Sequence, residues 1–147
     1  MGSVMNDILM HDPPHMKIVG GDIFEATDDS FLVHQCNCVT VNARGFAEEV
    51  FRRFPQADTY CMRSESKHYH TPGTIDVIGN VINLYAQLLP GGPIDDHYPS
   101  KKYMTQKYSK SVDTSIDTRQ MRLEWFSTCL TQVGIYFLQS PPHHPTR

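Results

Sequence analysis

The feature that most constrains this chain is a change of hydrophobic period within HQCNCVTVNARGFAEEVFRRFP, which begins at His34. Residues 31–37 (FLVHQCN) form an apolar run of the length of a buried strand. From Gly45 the period becomes helical, and Pro55 ends the pattern. The apolar positions of this helical pattern are Phe46, Ala47, Val50, Phe51 and Phe54. The segment therefore predicts a strand, a loop and a helix in succession.

Further strands are predicted on either side of this segment. Residues 16–24 are β-prone, and residues 74–78 and 81–88 are β-branched runs separated by Gly79-Asn80, a common hairpin turn. The second of these runs also suits a buried strand that pairs elsewhere. Residues 91–115 are rich in glycine, proline and polar residues and are predicted to form a long surface loop.

A second helix is predicted from Asp117, which forms a capping-box-like start with Gln120. Its apolar positions continue at helical spacing to Gly134, a typical residue after a helix end. Residues 135–138 (IYFL) then predict a last strand. Alternating strands and helices indicate one α/β domain with a mixed sheet over residues 16–138, between a flexible leader (1–15) and a disordered tail (139–147).

Composition restricts the partners. A formal net charge of −3 with a pI near 6.2 gives no general attraction to nucleic acid. The sequence has no signal-type segment and no apolar run of membrane-spanning length, and its four cysteines suggest reduced thiols rather than disulfides. We expect a soluble monomer of the cytoplasm or nucleus without membrane contact.

Cysteine and histidine spacing argues against a metal site. Structural zinc sites usually pair Cys-x2-Cys groups with a second such pair, whereas Cys36 and Cys38 are separated by one residue. Buried packing is the simpler interpretation of both, because a catalytic thiol needs a neighbouring base or cation. Residues 67–70 (KHYH) and 143–144 (HH) are interpreted as solvated loop histidines. No metal and no cofactor is predicted.

The loop at residues 37–45 is the candidate ligand site. In α/β folds ligands bind where strands end and loops enter helices. The entrance at Arg44-Gly45 would offer unpaired backbone N–H groups and the positive end of a helix dipole, which together suit a phosphate.

Several motifs in order resemble the macro domain family over residues 16–137. They are Gly21-Asp22-Ile23, the segment from His34 to Pro55, PGTIDV, VINLYAQ and RQMRLEWF. The resemblance implies a three-layer α/β/α fold that binds ADP-ribose or ADP-ribosylated protein at the carboxyl ends of its strands. Many members hydrolyse ADP-ribose derivatives, such as ADP-ribose 1''-phosphate or ADP-ribosyl groups.

The resemblance also implies roles for particular residues. Asp22 would accept the adenine amino group, and Ile23 would donate its N–H near the adenine ring. Asn37 would meet the distal ribose, and Ala43-Arg44-Gly45 would lie against that ribose and the diphosphate. Asn37 and His34 are the candidates to orient a catalytic water.

The sequence departs from this family after residue 137. Related chains continue there into a glycine-rich loop that wraps the diphosphate, whereas this chain continues as LQSPPHHPTR. Its three prolines cannot donate backbone N–H groups, so the fold is expected to be C-terminally incomplete. Two functions stay open: a hydrolase of ADP-ribose derivatives, and a noncatalytic reader of ADP-ribose or ADP-ribosylated partners.

Overall fold

The computed structural model describes residues 22–25, 30–66, 68–96 and 99–139. Strands and helices alternate along these residues, which confirms the predicted α/β class. In chain order the elements are β1 (Leu32–Gln35), α1 (Gly45–Arg53), α2 (Arg63–Ser66), β2 (Thr74–Ile78), β3 (Val81–Tyr85), α3 (Pro99–Tyr108) and α4 (Arg119–Gln139). Short 3-10 turns lie at Ile23–Glu25, Pro55–Ala57 and Thr114–Ile116.

The three described strands form a mixed sheet in the order β1-β3-β2. β1 pairs in parallel with β3, and β2 pairs antiparallel with β3 through the predicted hairpin, which is thereby confirmed. Gly79 makes the turn with φ at 60°, a backbone conformation that favours glycine. All five residues of the central strand β3 are buried.

The strand register places three polar residues in one row across the sheet. His34 pairs with Asn83 of the central strand, and Asn83 pairs with Asp76 on its other side. Residues paired in this way project from the same face of a sheet. A polar row therefore crosses the face against which the Phe51 ring of α1 packs, 5.4 Å from the His34 ring.

The helix predicted after the 37–45 loop is confirmed as α1. Val50 and Phe51 are its buried residues. Glu49 pairs on the outer side with Arg52 and, at 3.0 Å, with Arg53. Salt bridges of this spacing support a surface helix only weakly, so the buried pair supplies most of the packing free energy.

The prediction that residues 91–115 form only a loop is wrong, because α3 occupies Pro99–Tyr108. Tyr108 is buried in the core and Met104 packs against it, while Tyr103 is 58% exposed. A helix that makes so few apolar contacts carries too weak a periodicity to stand out among glycines and prolines.

The predicted start of the last helix is also wrong. Thr118 caps α4, since its Oγ1 accepts the N–H of Met121 at 3.1 Å. Asp117 is fully buried instead, where its carboxylate accepts the backbone N–H groups of Leu88 and Leu89 at 3.2 and 3.0 Å. The local spacing predicts that the Asp117 side chain caps the helix, but this side chain makes tertiary hydrogen bonds instead.

The predicted last strand at residues 135–138 is wrong, because α4 continues through Gly134 to Gln139. A glycine is tolerated within a helix at a cost of about 1 kcal/mol relative to alanine. Contacts beyond it favour the helix: the rings of Tyr136 and Phe137 lie 6.4 and 4.9 Å from that of Phe31.

The predicted first strand lies mostly outside the described residues. Its last residues are not a strand, because Ile23–Glu25 forms a 3-10 turn in which Asp22 Oδ1 accepts the N–H of Phe24 at 3.0 Å. The predicted leader (1–15) also lies outside the described part, as does the predicted tail (139–147) except for Gln139, which ends α4. Across the described helices, none combines the length and apolar character needed to cross a membrane.

Candidate functional site

Arg63 lies at the centre of a buried polar network and is 3% exposed. Its Nη1 donates to Asn37 Oδ1 and the carbonyl of Thr40 at 3.2 and 2.7 Å, and its Nη2 donates to the Asn37 carbonyl at 2.7 Å. Nε and Nη2 both approach His70 Nδ1, at 3.2 and 2.9 Å. All these acceptors are neutral, and burial lowers the pKa of the guanidinium. Arg63 is therefore a buried cation without a direct anionic partner among the described residues.

The same geometry assigns the protonation of His70. Because a guanidinium has only donors, His70 Nδ1 must accept, and Nε2 therefore carries the proton. Nε2–H donates to Asp76 Oδ2 at 3.2 Å, and the ring stacks on Tyr85 with 3.8 Å between centroids. The Tyr85 hydroxyl donates to the same carboxylate oxygen at 2.8 Å.

The hydrogen bond from His70, together with that from Tyr85, holds the pKa of the Asp76 carboxyl below its ordinary value. The carboxylate is therefore ionised at neutral pH. A neutral imidazole links it to the buried cation.

The network continues across the sheet to His34. The Tyr85 hydroxyl lies 2.6 Å from Thr59 Oγ1, and Asn83 Nδ2 donates to the carbonyl of Ala57 at 3.0 Å. Asn83 Oδ1 accepts from His34 Nε2 at 2.6 Å. Burial lowers the pKa of His34, so this histidine is neutral within the polar row.

Asn37 uses its side chain to shape the loop that follows β1. Its Oδ1 accepts the backbone N–H groups of Val39 and Thr40, each at 3.0 Å, besides Arg63 Nη1. Its own N–H donates to the Tyr60 hydroxyl at 2.7 Å. With 7% exposure, Asn37 has its polar groups engaged within the protein.

A cavity of about 750 Å³ lies beside this loop at the start of α1. It contains three cationic side chains, Arg44, Arg63 and Lys107, and its described lining residues include no aspartate or glutamate. Arg44 precedes α1 and makes no capping hydrogen bond through its side chain. The first N–H groups of α1 thus add their positive dipole end to a cationic surface. The other lining residues are Val39, Thr40, Val41, Asn42, Ser64, Tyr69, Met104, Tyr108 and Ser111.

A smaller cavity of about 320 Å³ adjoins the first, because both include Arg63 and Tyr69 in their linings. Its remaining lining residues are Thr59, Met62, His68, His70 and Asp76. Arg63 therefore contributes to the lining of both cavities.

Of the residues predicted to bind ligand, Arg44 lines the larger cavity. Ala43 packs against the core beside it, and Gly45 begins α1 with φ at 63°. Asp22 and Ile23 are exposed and line neither cavity. Their assigned contacts with adenine stay predictions.

The two predicted catalytic residues also line neither cavity. His34 lies within the polar row, and Asn37 lies beneath the loop whose backbone it binds. Their proposed roles in orienting water stay predictions.

Sequence reasoning missed Arg63, His70, Asp76 and Lys107. Asp76 carried a usable signal, since a carboxylate within the β-branched run TIDVI is unfavourable in a strand unless it has partners. The sequence predicts a solvated His70, whereas its side chain is half-buried. Arg63 lies in CMRSES, where no periodicity distinguishes it.

The cysteines of the opening segment are packing residues. Cys36 and Cys38 are fully buried, and desolvation raises the pKa of Cys38 to about 12 and that of Cys36 further. Both thiols are therefore protonated at neutral pH. Within the described ranges, histidine, cysteine and acidic side chains form no cluster able to hold a metal ion.

Comparison with known proteins adds no relative to this picture. No protein-family model, no curated protein and no solved structure matches the chain. The macro domain resemblance therefore remains a prediction that depends on the motifs themselves.

Proposed function

We propose that this chain binds ADP-ribose, free or attached to a protein, with the diphosphate in the larger cavity. The observation that carries the proposal is the charge of that cavity: Arg44, Arg63 and Lys107 line it without a described carboxylate. Arg63 is buried against neutral acceptors only. A buried charge without a counter-ion is unfavourable, so an anionic ligand nearby is stabilised.

The identity of the ligand comes from the macro domain resemblance, and the cavity supports its anionic part. The resemblance predicts that the diphosphate lies against Arg44-Gly45, and Arg44 does line the cationic cavity. The start of α1 offers uncapped N–H groups at the same place. Two independent arguments thus favour a phosphate at the same end of the same helix.

We propose binding rather than turnover as the function of this chain. The described residues of the larger cavity include no histidine or carboxylate to act as a general base. Asp76 in the adjoining cavity is a poor base near neutral pH, because hydrogen bonds from His70 and Tyr85 lower the pKa of its carboxyl. Asn37 and His34 are engaged in buried hydrogen bonds. The polar groups positioned around the cavity therefore favour a reader of ADP-ribose over a hydrolase.

A titration with ADP-ribose tests binding. Lys107→Ala and Arg44→Ala are each expected to raise the dissociation constant by about tenfold, because a charge-assisted contact with phosphate is lost. Lys110→Ala is the matched control, since Lys110 is exposed near the end of the same helix and does not line the cavity. Absence of saturable binding, or equal effects of the two lysine variants, would contradict the proposal.

A turnover assay distinguishes the two open functions. ADP-ribose 1''-phosphate and an ADP-ribosylated protein are incubated with the chain under conditions that saturate binding. We expect no release of phosphate or ADP-ribose above the uncatalysed rate. Turnover that disappears in the Lys107→Ala variant would show a hydrolase acting at this cavity instead.

A further inference from the structure

The smaller cavity contains a carboxylate that a diphosphate bound in the larger cavity would not contact. It shares Arg63 and Tyr69 with the larger cavity, so the two cavities are neighbours. Its distinguishing residue is Asp76, whose side chain is 42% exposed. This carboxylate lies next to the cationic cavity without lining it.

Asp76 offers one free acceptor to this cavity. His70 and Tyr85 both donate to Oδ2, while Oδ1 makes no hydrogen bond within the part of the chain that the structure describes. The N–H groups of Arg63 and the Nε2–H of His70 are already engaged. Asp76 therefore favours a ligand group that donates hydrogen bonds.

The neighbouring charge decides which kind of donor fits. The buried Arg63 guanidinium lines the same cavity and disfavours an ammonium group through like-charge repulsion. A neutral hydroxyl avoids that repulsion and still donates to a carboxylate. Met62 and Tyr69 line the cavity with apolar and aromatic surface, which suits the C–H face of a sugar ring.

We infer that the smaller cavity binds the terminal ribose of the ligand, with Asp76 Oδ1 accepting a sugar hydroxyl. The inference rests on the proposed function, since the diphosphate in the larger cavity delivers the ribose. It moves this ribose away from the side chain of Asn37, whose oxygen already accepts from Val39, Thr40 and Arg63. Asp76 thereby becomes the residue that distinguishes ADP-ribose from ADP.

The test compares ADP-ribose with ADP in calorimetric titrations of two variants. Asp76→Asn keeps an oxygen that accepts from His70 and Tyr85, yet removes the charge offered to the sugar. Met62→Trp fills the cavity from a side chain that is 61% exposed, so its effect on folding is small. Each variant is expected to weaken ADP-ribose binding by about tenfold and to leave ADP binding within about twofold, since one hydrogen bond to a charged group is lost or blocked.

The outcomes separate this inference from the proposed function. Lys107→Ala should weaken both ligands alike, because both carry the diphosphate. Suppose that wild-type protein binds both ADP-ribose and ADP. The ribose site is then overturned, and the proposed function survives, if Met62→Trp weakens the binding of neither ligand. The same conclusion follows if Asp76→Asn weakens the binding of the two ligands equally. If wild-type protein binds neither ligand, the proposed function fails, and the ribose inference fails with it.

Discussion

Arg63 is held in the core by neutral groups, and its charge affects both adjoining cavities. The centroid of the Tyr60 ring lies 4.3 Å from the guanidinium carbon. His70 accepts a hydrogen bond from Arg63 and donates one to the carboxylate of Asp76, so it links the two side chains. A cation so placed needs every donor satisfied, because an unpaired buried N–H would add a further cost. The residue therefore shapes the loop at Asn37 and Thr40 while it supplies the positive potential that we assign to ligand binding.

His34 gives a prediction at the same scale, on stability and pH. Burial lowers its folded pKa below the ordinary value of 6.5, so the unfolded chain takes up the proton first. The free energy of unfolding should be fully expressed above pH 6.5 and fall as the pH drops toward the folded pKa, by up to about 1.4 kcal/mol per pH unit. His34→Gln, which can still donate to Asn83 Oδ1, should flatten this fall. Urea unfolding at a series of pH values measures it.

The control for this experiment is Gln106→Ala, because Gln106 is exposed and its side chain does not titrate. Its pH dependence should equal that of the wild type. Measurements stay above about pH 4.5, since Asp76, whose folded pKa is lowered, contributes stability that is lost only near and below its ordinary range. An unchanged slope in His34→Gln would show that this histidine does not titrate with unfolding.

Residue-level patterns predicted which side chains share a face, but not their partners. Alternation placed His34 and Cys36 together, and both are buried. The partner of His34 is Asn83, which is 49 residues away, and only the register of β1 on β3 brings the two together. Such pairing depends on tertiary structure, so local spacing cannot reveal it.

At the scale of elements, the sequence predicts segments with a clear hydrophobic period correctly. It predicts the ends of elements less well where they are inferred from a single glycine. α1 and the β2–β3 hairpin have clear periods and turn residues. Gly134 resembled a helix end, yet α4 passes through it. A glycine allows a helix to end but does not require it to end. The packing of the residues that follow decides whether the helix continues.

Two glycine substitutions test these element assignments. Gly134→Ala should raise the free energy of unfolding by about 0.5–1 kcal/mol, because alanine favours a helix interior and its Cβ meets no atom within 4 Å. Gly45→Ala should lower it by about 1–2 kcal/mol, because φ is 63° although the space around it is equally open. Thermal and urea unfolding of both variants supply the measurement.

The pair of variants serves as its own control, since the same atom is added in open space at both positions. Opposite signs are the expected result. A destabilising Gly134→Ala would mean that Gly134 ends the helix after all, and the strand prediction for residues 135–138 would return.

For the molecule as a whole, a second buried polar cluster ties α4 to the segment after β3. The fully buried Asp117 accepts from Arg122 Nε at 2.8 Å as well as from two backbone N–H groups. Arg122 also donates to the carbonyls of Leu89, Gly91 and Gly92. The sequence predicts Asp117 as a helix start, but its backbone partners Leu88 and Leu89 lie 29 and 28 residues earlier in the chain.

The candidate site shows the same division between local and tertiary information. The sequence predicts the candidate ligand loop and Arg44, which belong to one strand-loop-helix unit. Arg63, Asp76 and Lys107 lie on α2, β2 and α3, and only the folded chain brings them beside that loop. The positive charges and the carboxylate of the candidate site therefore come from elements whose local patterns do not reveal them.

The four cysteines give a prediction for the cooperativity of the whole fold. Cys61 is exposed, whereas Cys36, Cys38 and Cys129 are fully buried with raised thiol pKa values, about 11 for Cys129. A disulfide reagent at pH 7.5 should therefore modify one thiol rapidly, and Cys61→Ser should abolish this phase, because reaction requires an accessible thiolate.

The remaining thiols should react together, at the rate of global opening. Cys129 on α4 donates to the carbonyl of Thr74 at 3.4 Å, and Gln132 donates to that of Gly73 at 2.6 Å, so α4 is bound to the start of β2. Mass spectrometry of peptides after timed labelling would follow each thiol separately. Faster labelling of Cys129 than of Cys36 and Cys38 would contradict this, because it would show that α4 leaves the sheet while the strand-loop unit at the proposed ligand site stays folded.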